Sequence, residues 1–320
     1  MDNISFILTD THFGVKQNSM TWLNSQLDFF YNQLIPHIEQ YKNNYNIKLI
    51  HMGDVFDSRS TISTYVAVKV VKLFEDLSKL CDVHIIAGNH DFYSPNSDIV
   101  NSLDLLLNHS GVTLHTNKAE LIDGDLFIPW YEWGSQDTKN LLKKGVNNIY
   151  AHTDIVTERI PYTNINNIKL FSGHLHIPYI NKNIYNIGSC YHLNFGDSNQ
   201  QRGYYTMINN EKPCFHANCQ SIKFWRLYNE DIFDEKVIDD RDYVELYISQ
   251  SNMNDQKYIE RINEYTKQLK NIWIIPQTEE FIGEGMEKIE GYDIEKITRK
   301  LIPDELKEKF ELIAKKIALK

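Results

Sequence analysis

The first two thirds of the chain alternate short apolar runs with longer stretches whose apolar residues recur at helical spacing. Residues 4–8, Ile4-Ser5-Phe6-Ile7-Leu8, predict a strand. Residues 22–41 predict a helix, with Leu23, Leu27, Phe30, Leu34 and Ile38 on one side. A strand is expected over 47–52, then a helix over 65–80 with Val66, Val70, Leu73 and Leu77 on one face. A strand over 83–87 and a short helix over 99–107 follow, with further strands over 148–151, 168–172 and 185–187. Asparagine-rich stretches at 43–44, 164–167 and 181–186 read as turns or loop tips. This order is that of an α/β fold whose sheets are covered by helices.

After Arg226 the pattern changes. A strand over 244–248, a helix over 256–269 and a strand over 272–275 form a βαβ unit fit for a small second domain. Residues 303–320 predict an amphipathic helix, with Leu306, Phe310, Ile313 and Ile317 on one stripe. No apolar run approaches the roughly 18 residues of a membrane span, so no membrane association is expected. The strand-like start has neither the basic residues nor the cleavage site of a signal peptide.

Composition narrows the partners. The chain has 320 residues, 42% hydrophobic and 24% charged, enough for one large domain and a small one. Its four cysteines form no CxxC pair, which argues against a disulfide framework or a structural zinc site. A cytoplasmic setting is expected: the host cytoplasm for a phage-encoded chain, in association with the nucleoid. Abundant Asn, Ile, Lys and Tyr point to an AT-rich genome, such as that of a phage. The net charge of −10 excludes binding nucleic acid through a global positive field. Any such contact must use a local basic patch, a partner or bound metal.

Five short motifs carry the chemistry: Asp10-Thr11-His12-Phe13-Gly14, Gly53-Asp54-Val55-Phe56-Asp57, Gly88-Asn89-His90-Asp91, Ala151-His152-Thr153 and Gly173-His174-Leu175-His176. Each follows a predicted strand, where loops of an α/β fold converge on one crevice. In extended chain, residues two apart point the same way, so Asp10 and His12 can face one ion, as can His174 and His176. Asn89 and His90 should point differently, leaving His90 free for substrate. Asp, Asn and His donors without thiolate favour manganese, iron or zinc over a pure magnesium or calcium site. Two divalent ions, less the charges of Asp10, Asp54 and a bridging hydroxide, leave one positive charge for a phosphodiester. Asp54 is the natural bridging ligand. Such ions lower the pKa of water and hold phosphate for in-line attack, and His90 would stabilise charge or protonate the leaving oxygen. Asp91 or Asp57 would orient His90. Ligand histidines must be neutral, so activity should fall below about pH 6.5.

These motifs resemble those of the calcineurin-like metallophosphoesterase superfamily. The N-terminal DxHxG, with GDVFD and GNHD, is similar to the SbcD nucleases of double-strand-break repair complexes. Ile128-Pro129-Trp130, Gly188-Ser189, Gly196-Asp197 and Arg202-Gly203 resemble the recombination endonuclease subunits of T-even-type phages. The resemblance covers most of residues 1–210. It implies a four-layer αββα sandwich over 1–230, an α+β capping domain over 231–290 and a C-terminal helical segment over 291–320. One metal would be held by Asp10, His12, Asp54 and His176, the other by Asp54, Asn89, His152 and His174, with His90 as the catalytic histidine. The implied cofactors are two divalent ions, manganese first, with magnesium, iron or zinc as alternatives. The implied partners are DNA, a second copy of the chain and an SbcC-type ABC ATPase docked on the C-terminal segment. The function implied is a DNA exonuclease or endonuclease acting in recombination, repair or replication.

Among the remaining residues, His37, His51, His84, His109, His115 and His216 read as packing or surface histidines. His192, Arg59 and Arg202 are candidates to meet substrate. The rival enzyme is a nucleotide phosphodiesterase or phosphatase on the same fold. Ser58 after Asp57 and Asp91 after His90 depart from the Arg-Gly and Glu of serine/threonine phosphatases. A silent scaffold should have lost ligands, and the expected set is intact.

Overall fold

The computed structural model describes residues 1–94, 97–155, 167–229, 231–234, 238–267 and 269–277. Two mixed sheets dominate. The first orders its strands Cys214–Ala217, Gly203–Ile208, Asp2–Leu8, Tyr45–His51, Asp82–Ile86 and Thr113–His115. The last four run parallel to one another, and the first two are antiparallel additions. The second orders Tyr179–Asn181, Ile184–Asn186, Lys169–Gly173, Asn148–His152, Asp125–Ile128 and Glu120–Ile122. Its four middle strands are parallel and both edges antiparallel.

Alternation along the strands builds the layers. Ile7, Ile50 and Ile86 of the first sheet meet Phe127, Tyr150 and Phe171 of the second in one buried layer. The opposite side of the first sheet, including Phe6, Leu49 and Ile85, packs on helical residues such as Phe29, Leu34, Val70 and Leu73. The outer face of the second sheet, Leu126, Ile149 and Leu170, is covered by Leu141 and Leu142 beside helix Gln136–Leu141. The order helix, sheet, sheet, helix is the expected αββα sandwich.

The helix expected over 22–41 is present in three pieces: Met20–Phe29, a π-helical turn Phe30–Leu34, and Ile35–Glu39. Pro36 lacks an N–H, and the wider turn ahead of it relieves the carbonyl clash it would make in a regular helix. The next helix, Thr64–Ser78, begins where the Ser63 hydroxyl accepts the Val66 N–H over 3.2 Å. The helix expected over 99–107 is shorter. Residues Ser97–Asn101 pair antiparallel with Phe92–Ser94, and the helix spans Ser102–Leu107. Asn101 sets the boundary, because its side chain accepts the Asp104 N–H over 2.8 Å.

The βαβ unit is seen as Tyr243–Ser249, helix Gln256–Thr266 and Asn271–Gln277. Phe224–Tyr228 joins it in parallel with Tyr243–Ser249. Leu227, Val244, Leu246, Ile248, Tyr258 and Ile262 form its own buried cluster. The segment 303–320 lies outside the described residues. Among the described residues, no helix is long and apolar enough to cross a membrane.

Candidate metal centre

All five motifs leave the carboxyl ends of parallel strands and meet in one place. The meeting is made by backbone contacts between loops. The N–H of Asp10 donates to the Gly53 carbonyl, that of His12 to Asp54, and that of Phe13 to Val55, at 2.8–3.0 Å. The chain here is not extended. Asp10 (φ 52°), His12 (φ 43°), Asp54 (φ 53°) and His174 (φ 84°) all occupy the left-handed region. Asp10 and His12 therefore share a direction through two left-handed residues, not through strand alternation. Four non-glycine residues in that region store strain at roughly 1–3 kcal/mol each, which the surrounding packing must hold.

The expected ligands fall into two clusters, and His12, Asp57 and His90 form a third close group beside them. Oδ1 of Asp10 lies 3.8 Å from Nε2 of His12 and 3.7 Å from Nε2 of His176, and the two imidazole nitrogens are 3.1 Å apart. In the second cluster, Nε2 of His152 is 3.4 Å from Asp54 Oδ1 and 3.0 Å from Asn89 Oδ1, which also meets Nδ1 of His174 at 2.9 Å. Asp54 stands between them, because its other oxygen, Oδ2, is 3.7 Å from Nε2 of His12. The residues fit divalent ions. Among the described residues Asp10 Oδ1 is buried without a hydrogen-bond partner, and donors of both clusters lie close enough to share an ion. Gly88 has no side chain because a Cβ there would run into the Asp54 carboxylate.

The sequence matches the family described as calcineurin-like phosphoesterase over residues 6–178. The chain belongs to this family. Comparison with curated proteins gave no match. Among solved structures, the chain is similar to the Pseudomonas putida nuclease MPE, at 14% identity and a TM-score of 0.30. That match covers 54% of this chain and 61% of the nuclease chain.

Calcineurin-like phosphoesterases bind divalent metals, and the charge state of this site suits that use. Burial alone would raise the Asp10 carboxyl, but His12, His152 and His176 bring it down to about 2. Burial opposes charge on His12, yet the Asp10, Asp57 and Asp54 carboxylates raise it to about 10. His152, buried beside Asp54 and Asp10, is raised to about 9. Without metal, protons on these two rings balance the carboxylates. His174 and His176 go the other way, lowered by burial and by the neighbouring imidazoles.

The other expected site residues fall into separate places. His90 reaches the cluster, since its N–H donates to Asp54 Oδ1 at 2.8 Å and its Nδ1 lies 2.6 Å from the Asp57 carbonyl oxygen. The orienting group is thus the Asp57 backbone. The Asp57 carboxylate faces His12 Nδ1 at 3.4 Å. Asp91 is fully buried and accepts N–H groups of Asp54, Val55, Phe56 and Gly88 at 2.9–3.3 Å. It ties the second motif to the third. Burial and the Asp54 charge push its carboxyl up to about 7, against the Gly88 and Phe56 N–H groups and the His152 ring.

Arg202 and His192 are structural. Arg202 is 3% exposed, pairs with Asp197 at 2.7 Å and donates to the His176 carbonyl. His192 accepts the Phe224 N–H on Nδ1 at 2.9 Å and donates from Nε2 to the Gln200 carbonyl at 2.7 Å. Arg59 is half-buried, with Nη1 buried and, among the described residues, without a hydrogen-bond partner. Three of the packing histidines form buried contacts: His51 with the Thr11 hydroxyl at 2.9 Å, and His84 with His115 at 3.0 Å.

Supports of the site escaped the sequence reading. The Met52 carbonyl accepts Nδ1–H of His152 at 2.7 Å, leaving Nε2 for the cluster. The Thr9 hydroxyl lies 2.8 Å from Asp10 Oδ2. Gln26 Nε2 donates to the Thr11 carbonyl at 2.8 Å, and Tyr191 donates to the same oxygen. Trp130 packs on His174 with ring centroids 4.8 Å apart. Only Trp130 left a trace, in the Ile128-Pro129-Trp130 run; a backbone carbonyl leaves none.

Proposed function

We propose that this chain is a metal-dependent DNA nuclease that hydrolyses phosphodiester bonds with two divalent ions, manganese foremost. The observation that carries the reading is Asp54 set between two ligand clusters, with His90 held against it. One ion would sit among Asp10, His12, Asp54 and His176, the other among Asp54, Asn89, His152 and His174. Bound there, the ions would supply Lewis acidity, activating water and taking up phosphate charge.

The residues of the chain supply position and protons. A carbonyl oxygen can only accept, so the Asp57 contact keeps the proton of His90 on Nδ1 and turns Nε2 toward substrate. Nε2 can hand a proton to the leaving oxygen when the ring is cationic. Asp91 and the left-handed loops hold the geometry without touching substrate. The acidic chain needs help with DNA beyond the scissile phosphate. An SbcC-type ATPase and a second copy of the chain belong to this reading as partners in recombination or repair.

A substrate panel tests it. With manganese, and with and without the ATPase and ATP, linear DNA should be cut while cyclic nucleotides and phosphomonoesters are left. A chain that cleaves cyclic nucleotides yet leaves DNA intact with its partner present is a nucleotide phosphodiesterase, and the nuclease reading fails.

A further inference from the structure

Where the small sheet meets the first long helix, aromatic rings form a stack that runs from the core to the surface. Trp22 lies on Phe224, with centroids 5.6 Å apart and planes 19° apart. Phe224 stacks on Tyr243 at 5.0 Å, and Tyr243 on Trp273 at 6.0 Å with planes 19° apart. Phe195 closes one side, edge-on to Phe224 at 4.8 Å and to Trp273 at 6.0 Å. Trp22 is 5% exposed and Phe224 4%, whereas Trp273 is 48% exposed. The stack therefore ends on a ring that packs on Tyr243 and is otherwise half open to solvent.

These rings and Lys16 line a groove of about 450 Å3, and among the described residues no aliphatic side chain lines it. The Lys16 ammonium stands 5.7 Å from the Trp22 ring and 6.0 Å from that of Phe224. Among the described residues it has no carboxylate partner. The groove is tied to the metal centre from two directions. Lys16 follows His12 in the same loop, where the Val15 N–H donates to the His12 carbonyl at 3.1 Å. Phe195 sits in the Phe195–Asp197 turn, and Asp197 is paired with Arg202, which holds the His176 carbonyl.

We infer that this groove is a subsite for single-stranded DNA, with a base continuing the stack on Trp273 and a phosphate beside Lys16. The inference rests on the nuclease reading and names the form of DNA held next to the site. A nucleotide offers the two partners the groove lacks, a flat ring and an anion. Stacking tolerates any base and does not depend on a positive field, which suits a chain of net charge −10. A docked protein segment would be expected to find aliphatic contacts, and among the described residues none line the groove.

The test is fluorescence anisotropy with a labelled oligothymidylate, on full chain with manganese bound and in a His90→Asn background that prevents cutting. Trp273→Ala should weaken binding at least about fivefold, and Trp273→Leu equally, while Trp273→Phe keeps most of the affinity. Lys16→Gln should lower the slope of log affinity against log salt by about one. With His90 restored, all four variants should hydrolyse bis(p-nitrophenyl) phosphate like the parent, which also reports that the metal centre is folded. Binding by Trp273→Ala within twofold of the parent, or parental affinity in Trp273→Leu, overturns the subsite and leaves the nuclease reading standing. A parent that hydrolyses the chromogenic diester but neither binds nor cuts DNA overturns both.

Discussion

The carboxylate of Asp91 accepts the backbone N–H of Asp54 over 2.9 Å, so one buried acid fixes the backbone of the other. Three more N–H groups share that carboxylate. Asp91→Asn should lower unfolding stability by about 2–3 kcal/mol, because an amide turns donors toward donors. Urea unfolding reads the loss. Excess manganese should recover most of the activity, since Asp91 positions the loops and moves no proton. Lost activity that manganese does not recover would assign Asp91 a part in the chemistry.

Gly88 gives a second handle on the same loops. A Cβ there would meet the Asp54 carboxylate and lie 2.9 Å from Cε1 of His152. Gly88→Ala should reduce manganese affinity at least about tenfold, an effect of the size seen when supports around metal ligands are lost. Calorimetric titration measures it, and an unchanged circular dichroism spectrum shows that the fold persists. Parental affinity would mean that Asp54 has room to move.

Arg202 lies under the His176 loop, where its ion pair with Asp197 is buried on both sides. Arg202→Gln leaves the Asp197 carboxylate uncompensated and should cost about 3–5 kcal/mol. Arg202→Lys, which keeps the charge, should cost less. Equal stability of all three proteins in denaturant would mean that the buried pair does not hold this loop in place.

Metal binding should release protons. His12 and His152 stand at about 10 and about 9 without metal, so both are protonated at pH 7. A ligating imidazole is neutral, so each must lose its proton when the ion arrives. Falling pH therefore weakens binding, and the weakening begins below about pH 10 and steepens below about pH 9, above the range of an ordinary histidine. Calorimetry at pH 7 in buffers of different ionisation enthalpy should give at least about two protons released per chain, with a further one if bound water ionises. A binding enthalpy independent of buffer contradicts these charge states.

The parts of this site legible in the sequence are those fixed by strand ends. Asp10, Asp54, Asn89, His152 and His174 each follow an apolar run, and parallel pairing brings such ends together. What stayed hidden depends on backbone. The left-handed angles at Asp10 and His12 leave no periodicity, and the Asp57 carbonyl has the same chemistry as any other. Arg202 and Asp91 looked like site residues because charge is legible and burial is not. Their partners, Asp197 and the loop N–H groups, are set by the fold. Gly203–Ile208 lacks the clean alternation of a half-buried strand because nearly all its residues are buried.

Two ions acting together at Asp54 are the centre of the proposed mechanism. DNA cleavage followed as a function of manganese bound per chain tests this most directly. Cleavage should be absent with chelator, remain low with one ion, and reach its full rate at two. Full cleavage at one ion per chain, or cleavage that persists with no metal, would contradict it.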